Sequence, residues 1–589
     1  MSNPTNHAVA GWSRRRMLAL FGAAGTGAVF SRALLTLAAD RATVDEGMIR
    51  QAEWISGIEL DNERRALMVE GMQELVADFE QLRQIPLDNG LPPALLFSPQ
   101  ALHPAPEGRN ESRARPLSSL PGPRPDDDEL AYLPVSRLSA LIRTREISSE
   151  ELTGIYLDRL ERFDPRLELV ITRTAELALE QARRADRELA AGAYRGPLQG
   201  IPWGAKDLLA VPPFPTTWGA TPYKDQVRSE QATVVSRLAG AGAVLTAKLT
   251  LGALAWGDVW FGGRTRNPWN VEQGSSGSSA GPAAATAAGL VGFAIGSETW
   301  GSIVSPCSRC GVTGLRPSFG RVSRYGAMAL SWSMDKLGPI ARSVEDCALV
   351  FDAIHGRDWL DPTVVDRPFD WPLERDPRSL RVGYVAKLFE QEIAEDITDP
   401  EERELAEESL RFDRRTLARL EEIGIELIPI ELPDSVPVAA LSFILTAEAA
   451  TAFDELTRGG RDRELVRQVA NAWPNVLRQG QFIPAVEYLR ANRIRWQLMQ
   501  DMEQCLAGVD VYVCPSFGGD NLLLTNLTGH PSVVLPNGHR ASDGTPTSIT
   551  FNGRMYGESE LLAVAWAYQD ATDYHLRRPP LTDEGPADG

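Results

Sequence analysis

Residues 274–317 read GSSGSSAGPAAATAAGLVGFAIGSETWGSIVSPCSRCGVTGLRP, and the reading of this run decides the fold. It opens with serines set among glycines and passes into a small-residue segment, Ala280 to Leu290, too compact to cover a core face alone. A short apolar strand is expected at Leu290 to Ile295, then a turn, Gly296 to Ser302, that presents another serine. A Gly/Ser loop that hands over to a strand and returns a serine on a tight turn aims backbone N–H groups and a hydroxyl at one point. A flexible linker shares that composition. A linker, however, does not run straight into an Ala-rich helix and an apolar strand, so the run is read as a site.

Outward from it, strand-like and helical segments alternate. Leu169 to Ile171, Val244 to Thr246, Leu380 to Val385, Ile425 to Ile430, Val509 to Val513 and Ser532 to Leu535 have strand character. Helical periodicity marks Thr174 to Leu189, Ser343 to Ile354, Pro400 to Ile423 and three long segments at 436–458, 462–478 and 484–506. The alternation predicts an α/β fold with a large, mostly buried, central mixed β-sheet covered by helices on both faces. Further out, 43–86 reads as two amphipathic helices, and 86–129, rich in Pro, Gly and charge, as a surface connection. The expected organisation is a helical extension with a Pro-rich linker over 40–130, a main domain over 131–580 and a disordered tail over 581–589. Two roles stay open for the extension: a cap over the active site, or an oligomer contact that would make a homodimer.

Residues 1–39 hold no acid, carry Arg14-Arg15-Arg16 before the apolar stretch Met17 to Phe30, and end in small residues. This pattern describes an export signal of the twin-arginine type, whose substrates cross the membrane folded. The apolar stretch falls short of the ~20 residues a span needs. Cleavage, periplasmic or extracellular location and no stable span are therefore expected; an uncleaved signal acting as a membrane anchor is the alternative.

The net charge of −19 across 589 residues argues against nucleic acid as a partner, because phosphate binding needs a basic surface. The five cysteines include one CxxC pair, Cys307 and Cys310, with no second pair and only six histidines. Buried thiols used as small apolar residues are expected rather than a metal or redox site. Only five lysines occur, so a lysine in an apolar context such as Lys206 within Gly200 to Asp207 is conspicuous.

A serine nucleophile needs a base, and three systems compete. Gly277-Ser278-Ser279-Ala280-Gly281 fits a G-x-S-x-G elbow, but the turn-like residues before it are not the strand that elbow requires. Ser333-Met334-Asp335-Lys336 fits S-x-x-K without its companion motifs. The third system joins Lys206, Ser278 and Ser302.

Several blocks in order carry a resemblance to the amidase signature family. They are GIPWGAKDLLAVPPFPTTWGA (200–220), the Ser/Gly run, GSETWGSIVSP (296–306), GLRPSFGRVSRYG (314–326) and NLTGHPSVVLPNG (526–538). The resemblance implies Lys206 as base, Ser278 as a bridging serine after a cis peptide bond, and Ser302 as nucleophile. It implies an amidase that cleaves a carbon–nitrogen bond of a small-molecule amide through an acyl-serine, without metal or organic cofactor. Two alternatives stay in view: the glutamine-amidohydrolase subunit of a tRNA-dependent amidotransferase, and an inactive amidase-like binding protein.

The chemistry has its own logic. Lysine at its ordinary pKa of ~10.4 is protonated at neutral pH; burial among Ile201, Trp203, Leu208 and Leu209 would lower that value and free a base. A serine hydroxyl both donates and accepts, so it can relay the proton. Backbone N–H groups of Thr299, Trp300, Gly301 and Ser302 are the candidates for an oxyanion hole.

Two positions depart from the family's usual Asp-x-Gly-Gly-Ser-Ile-Arg. Trp300 stands for a glycine, which means strain if its φ is positive and a narrowed acyl pocket if it is not. Val304 stands for an arginine, leaving Glu298 to find another partner, with Arg309 and Arg316 as candidates.

Overall fold

A computed structural model describes residues 43–87, 94–95, 114–117, 123–393 and 397–581. The expected export signal lies outside the described residues, as does all of the expected tail except Leu581.

The centre is a mixed sheet whose strands are, in chain order, β1 (Val170–Arg173), β2 (Pro202–Lys206), β3 (Val244–Leu249), β4 (Phe293–Glu298), β5 (Thr313–Arg316), β6 (Lys336–Ala341), β7 (Val382–Tyr384), β8 (Leu427–Pro429), β9 (Val511–Pro515), β10 (Ser532–His539) and β11 (Pro546–Gly553). The spatial order is β1-β3-β2-β4-β6-β5-β10-β11-β9-β7-β8. β3, β2 and β4 run parallel to one another, as do β9, β7 and β8, and the middle of the sheet is antiparallel. β2, β3 and β6 are buried along their whole length, so none of them shows a polar residue at every second position.

The central run folds as the Gly/Ser loop 275–279, the helix Ala280–Ala287, β4, the turn 299–303 and the helix Val304–Cys310. Every residue of the Ala280–Ala287 helix is buried. Its alanines and Gly281 let it lie close to the sheet: a Cβ on Gly281 would come within 2.5 Å of the Thr250 amide nitrogen.

Segment 462–478 is not one helix. A short 3-10 turn, Arg461–Glu464, is followed by irregular chain, and the helix begins at Trp473 with Pro474 in its first turn, where proline is tolerated. The break lets buried Asp462 pair with Arg478 at 2.6 Å. Segment 436–458 likewise divides into Val438–Leu441, Phe443–Ala452 and Asp454–Arg458, whereas 484–506 is one helix, Ala485–Cys505.

The two amphipathic front helices are Glu46–Ser56 and Asn62–Arg83, each capped by an aspartate side chain. The second buries Leu75, Phe79 and Leu82 against Phe443, Ile494 and Leu498. It is tied down by Asn475, whose Nδ2 donates to the Leu67 carbonyl (2.9 Å), and by an ion pair of Arg83 with Glu487 (2.8 Å). Among the described residues no helix is long and apolar enough to cross a membrane.

Candidate active site

Lys206 ends β2, fully buried, between the Gly/Ser loop and β4. Its Nζ donates to Ser278 Oγ (2.8 Å), Ser279 Oγ (3.0 Å) and Ser297 Oγ (2.9 Å). Burial drives its pKa well below the ordinary lysine value, against the weaker opposing pull of Asp335 and Glu298. The surface ion pair with Asp207 that would make Lys206 merely structural does not form. Asp207 turns instead to Lys248 (2.6 Å) and Thr217, all three buried.

The peptide bond between Gly277 and Ser278 is cis. Only glycine fits before it, since a Cβ there would meet the Gly257 carbonyl oxygen at 1.9 Å. Ser278 Oγ bonds to no described residue besides Lys206, so one side of that hydroxyl stays open. The next residue fixes the partner loop: Ser279 N–H donates to the Ser302 carbonyl (3.0 Å), and Ser279 Oγ accepts from Ser297 N–H (3.1 Å). Ser276 and Ser305 join the same two loops, hydroxyl to hydroxyl, at 2.7 Å. The loops of Ser278 and Ser302 are thus stitched by backbone and side chain, and Gly277 and Ser302 line one cavity of about 460 Å³.

Ser302 is partly buried, and its hydroxyl bonds to no described residue. The N–H groups of Thr299, Trp300, Gly301 and Ser302 also donate to no described residue. Unpaired amides beside an open hydroxyl are what an oxyanion site consists of before substrate arrives. The left-handed position of the turn falls on Gly301 (φ 85°) and not on Trp300. The indole is therefore unstrained, half-exposed and part of the cavity wall.

Gly301→Ala should cost ~1–2 kcal/mol for the left-handed alanine, more if Leu522 Cδ2, 3.1 Å from the new Cβ, cannot give way. The displaced amides should lower turnover roughly 10- to 100-fold. Denaturant midpoints and steady-state rates check the two effects separately.

Glu298 finds its partner in Arg316 (2.7 Å), both fully buried. Arg309 turns away to Gln273. Asn526 donates to the same oxygen as Arg316 (2.8 Å), and the other oxygen accepts the N–H groups of Ile303 (2.8 Å) and Val304 (2.9 Å). Burial pushes the carboxyl up, but Arg316 and these donors outweigh it and hold its pKa at about 2. The carboxylate therefore pins the chain just after Ser302.

The rival motifs are spoken for. Ser333 is held by Glu448 and Arg495, and Lys336 donates to the Met334 carbonyl. The residues before the G-x-S-x-G run are not all turn: Asn270–Gly274 is a short strand, but it belongs to a separate two-stranded hairpin and ends two residues before Gly277. Cys307, Cys310, Cys347 and Cys514 are buried free thiols.

Sequence reasoning missed Ser279 and Ser297, which complete the cage around the Lys206 amine. The run of four serines hid the first; the second carried no signal except its place at the end of β4. It left a cap over the active site open as one of two roles for the extension, without naming the residues that would face the cavity. Gly71, Glu74, Leu75 and Asp78 of the Asn62–Arg83 helix form one wall, with Trp256, Trp473 and Phe443 beside them.

Residues 151–562 match the Amidase family model. Among curated relatives, the glutamyl-tRNA(Gln) amidotransferase A-subunit of Moorella thermoacetica is 36% identical over 500 residues, covering 77% of this chain and 99% of its own length. The protein of the same name from Roseiflexus castenholzii is 34% identical over 504 residues, covering 78% and 99%. Among solved structures, peptide amidase from Stenotrophomonas maltophilia superposes with a TM-score of 0.65 at 30% identity, over 77% of this chain and 99% of that one. An amidase family protein from Bacillus anthracis gives 0.65 at 25% identity, over 77% and 94%. With its mixed sheet, its lysine on β2 and its serine loops, this chain belongs to the amidase signature family.

Proposed function

We propose that this protein hydrolyses a carbon–nitrogen amide bond through an acyl-Ser302 intermediate. The observation that carries this reading is the buried Lys206 amine bonded to Ser278, in a loop stitched to that of Ser302. Neutral Lys206 accepts a proton from Ser278 as Ser278 takes the proton of Ser302. The Ser302 oxygen bonds to the amide carbon, and the charge that develops on the carbonyl oxygen meets the unpaired N–H groups of 299–302. The C–N bond then breaks while the relay returns a proton to the leaving nitrogen. Water repeats the cycle on the ester, releasing the acid and restoring Ser302.

A second reading, glutamine hydrolysis within a tRNA-dependent amidotransferase, is favoured by the names of the curated relatives. The cavity lining speaks for the stand-alone amidase instead. Glutamine brings an α-ammonium, which the two carboxylates of the described lining suit, but also an α-carboxylate, for which that lining has no Lys, Arg or His. Export through the twin-arginine route, proposed from residues 1–39, points the same way, because aminoacyl-tRNA is a cytosolic substrate.

A fluorophosphonate probe should label the purified protein, with the adduct mapped by mass spectrometry to Ser302. Peptide and alkyl amides should be turned over faster than glutamine. No adduct at Ser302 would sink the amidase reading. Ammonia release confined to glutamine, together with protein found only in the cytoplasm, would establish the second.

A further inference from the structure

The wall formed by the Asn62–Arg83 helix lies outside the family match, which begins at residue 151. Gly71, Glu74, Leu75 and Asp78 fall at i, i+3, i+4 and i+7, one face of the helix, and all line the cavity that holds Ser302. Neither carboxylate forms a hydrogen bond or ion pair with a described residue. Two acids four residues apart on one helix repel each other, so the pair is a cost to the free protein. Burial, helped by Glu74, pushes the Asp78 carboxyl up to about 6.

A second helix supplies an independent sign. Gln479, on Trp473–Gly480, is 92% buried (8% exposed) and lines the same cavity, yet its side-chain amide bonds to no described residue. Gly71 makes the room for it: a Cβ at that position would lie 2.0 Å from Gln479 Nε2. Gly71 thus seats an unspent amide on the same cavity wall as the two unspent carboxylates. Three indoles also line this cavity: Trp256 and Trp473, edge-on to each other at 4.7 Å, and the half-exposed Trp300. Indole faces attract cations.

We propose that the Asn62–Arg83 helix is the specificity wall of this active site, where Glu74, Asp78 and the Gln479 carbonyl oxygen take the ammonium or guanidinium group of a cationic amide. The inference rests on the amidase reading and narrows it to amides of basic amino acids or of other amines that keep a positive charge.

The test uses the full chain and two fluorophosphonate probes of equal length, one ending in a primary ammonium and one in a neutral hydroxyl. The ammonium probe should label Ser302 roughly 10- to 100-fold faster, the range expected of a hydrogen bond to a charged group. In the double variant Glu74→Gln, Asp78→Asn the ratio of the two rates should fall to near one. That ratio does not depend on the folded fraction, because both probes report on the same molecules. Asp78→Lys should invert the preference toward a carboxylate-ended probe. Equal rates in the wild type, or a preference that survives the double variant, would overturn the inference and leave the amidase reading standing. Labelling by neither probe would overturn both.

Discussion

Lys206→Met should lower kcat/KM for any amide by about 10⁴-fold, the upper range for loss of a general base. Methionine keeps the length of the side chain and its apolar stem but has no lone pair able to take a proton at neutral pH. The fold should survive, because the substitution removes an amine whose ionisation the buried site already opposes. In the wild type, kcat/KM should fall on the acid side as Lys206 gains its proton, and no such limb can be assigned to Glu298, whose pKa lies near 2. Stability carries the same signature with a definite sign. Lys206 has a depressed folded pKa, so between that value and ~10.4 the unfolded chain binds the extra proton and stability rises with pH. The methionine variant should lose Lys206's share of that slope. An unchanged pH–stability curve in Lys206→Met would show that the amine is charged in the folded protein.

Glu298→Gln should cost about 3–5 kcal/mol at neutral pH, the range for breaking a buried ion pair from one side. All four partners of this carboxylate are donors: Arg316, Asn526 and the N–H groups of Ile303 and Val304. An amide places an NH₂ group among them and leaves the Arg316 charge uncompensated in a site closed to water. The pH dependence also has a fixed direction. With a folded pKa of about 2 against 4.5, the carboxylate contributes stability that is full above ~4.5 and lost as pH falls through about 2. Urea midpoints measured down the acid side should show that loss in the wild type and not in the variant. Because Ile303 and Val304 follow Ser302 directly, turnover should fall as well, roughly 100-fold.

How much of this was legible beforehand depended on whether the signal was local. The lysine in an apolar segment, the serine-glycine loop and the Glu298 turn each announce themselves within a dozen residues and the α/β class shows in alternating patterns, whereas the choice of Lys206, Ser278 and Ser302 with their roles came from the resemblance to the amidase signature family. β6 could not. Its sequence, Lys336-Leu337-Gly338-Pro339-Ile340-Ala341, puts glycine and proline in the interior of a sheet, against strand propensity. The reason lies in its neighbour: a Cβ on Gly338 would sit 2.0 Å from the Leu315 carbonyl oxygen. The division of 462–478 was hidden for a related reason, since the Asp462–Arg478 pair that folds it back joins residues no helical period would connect. For the wall over the cavity, a cap could be named as one role of the extension, but not its seat. Nothing in 62–83 says which helix will receive it.

That seat has a consequence for synthesis. The Asn62–Arg83 helix leaves the ribosome about 400 residues ahead of Asn475 and Glu487, the anchors that hold it. Until they emerge, Leu75, Phe79 and Leu82 can meet Phe443 but not Ile494 and Leu498, so part of their apolar surface stays wet. The first part of the active site to be made therefore waits about 400 residues for its anchors, and a nascent chain cut short before residue 473 would carry the lysine and both serines with that wall untied.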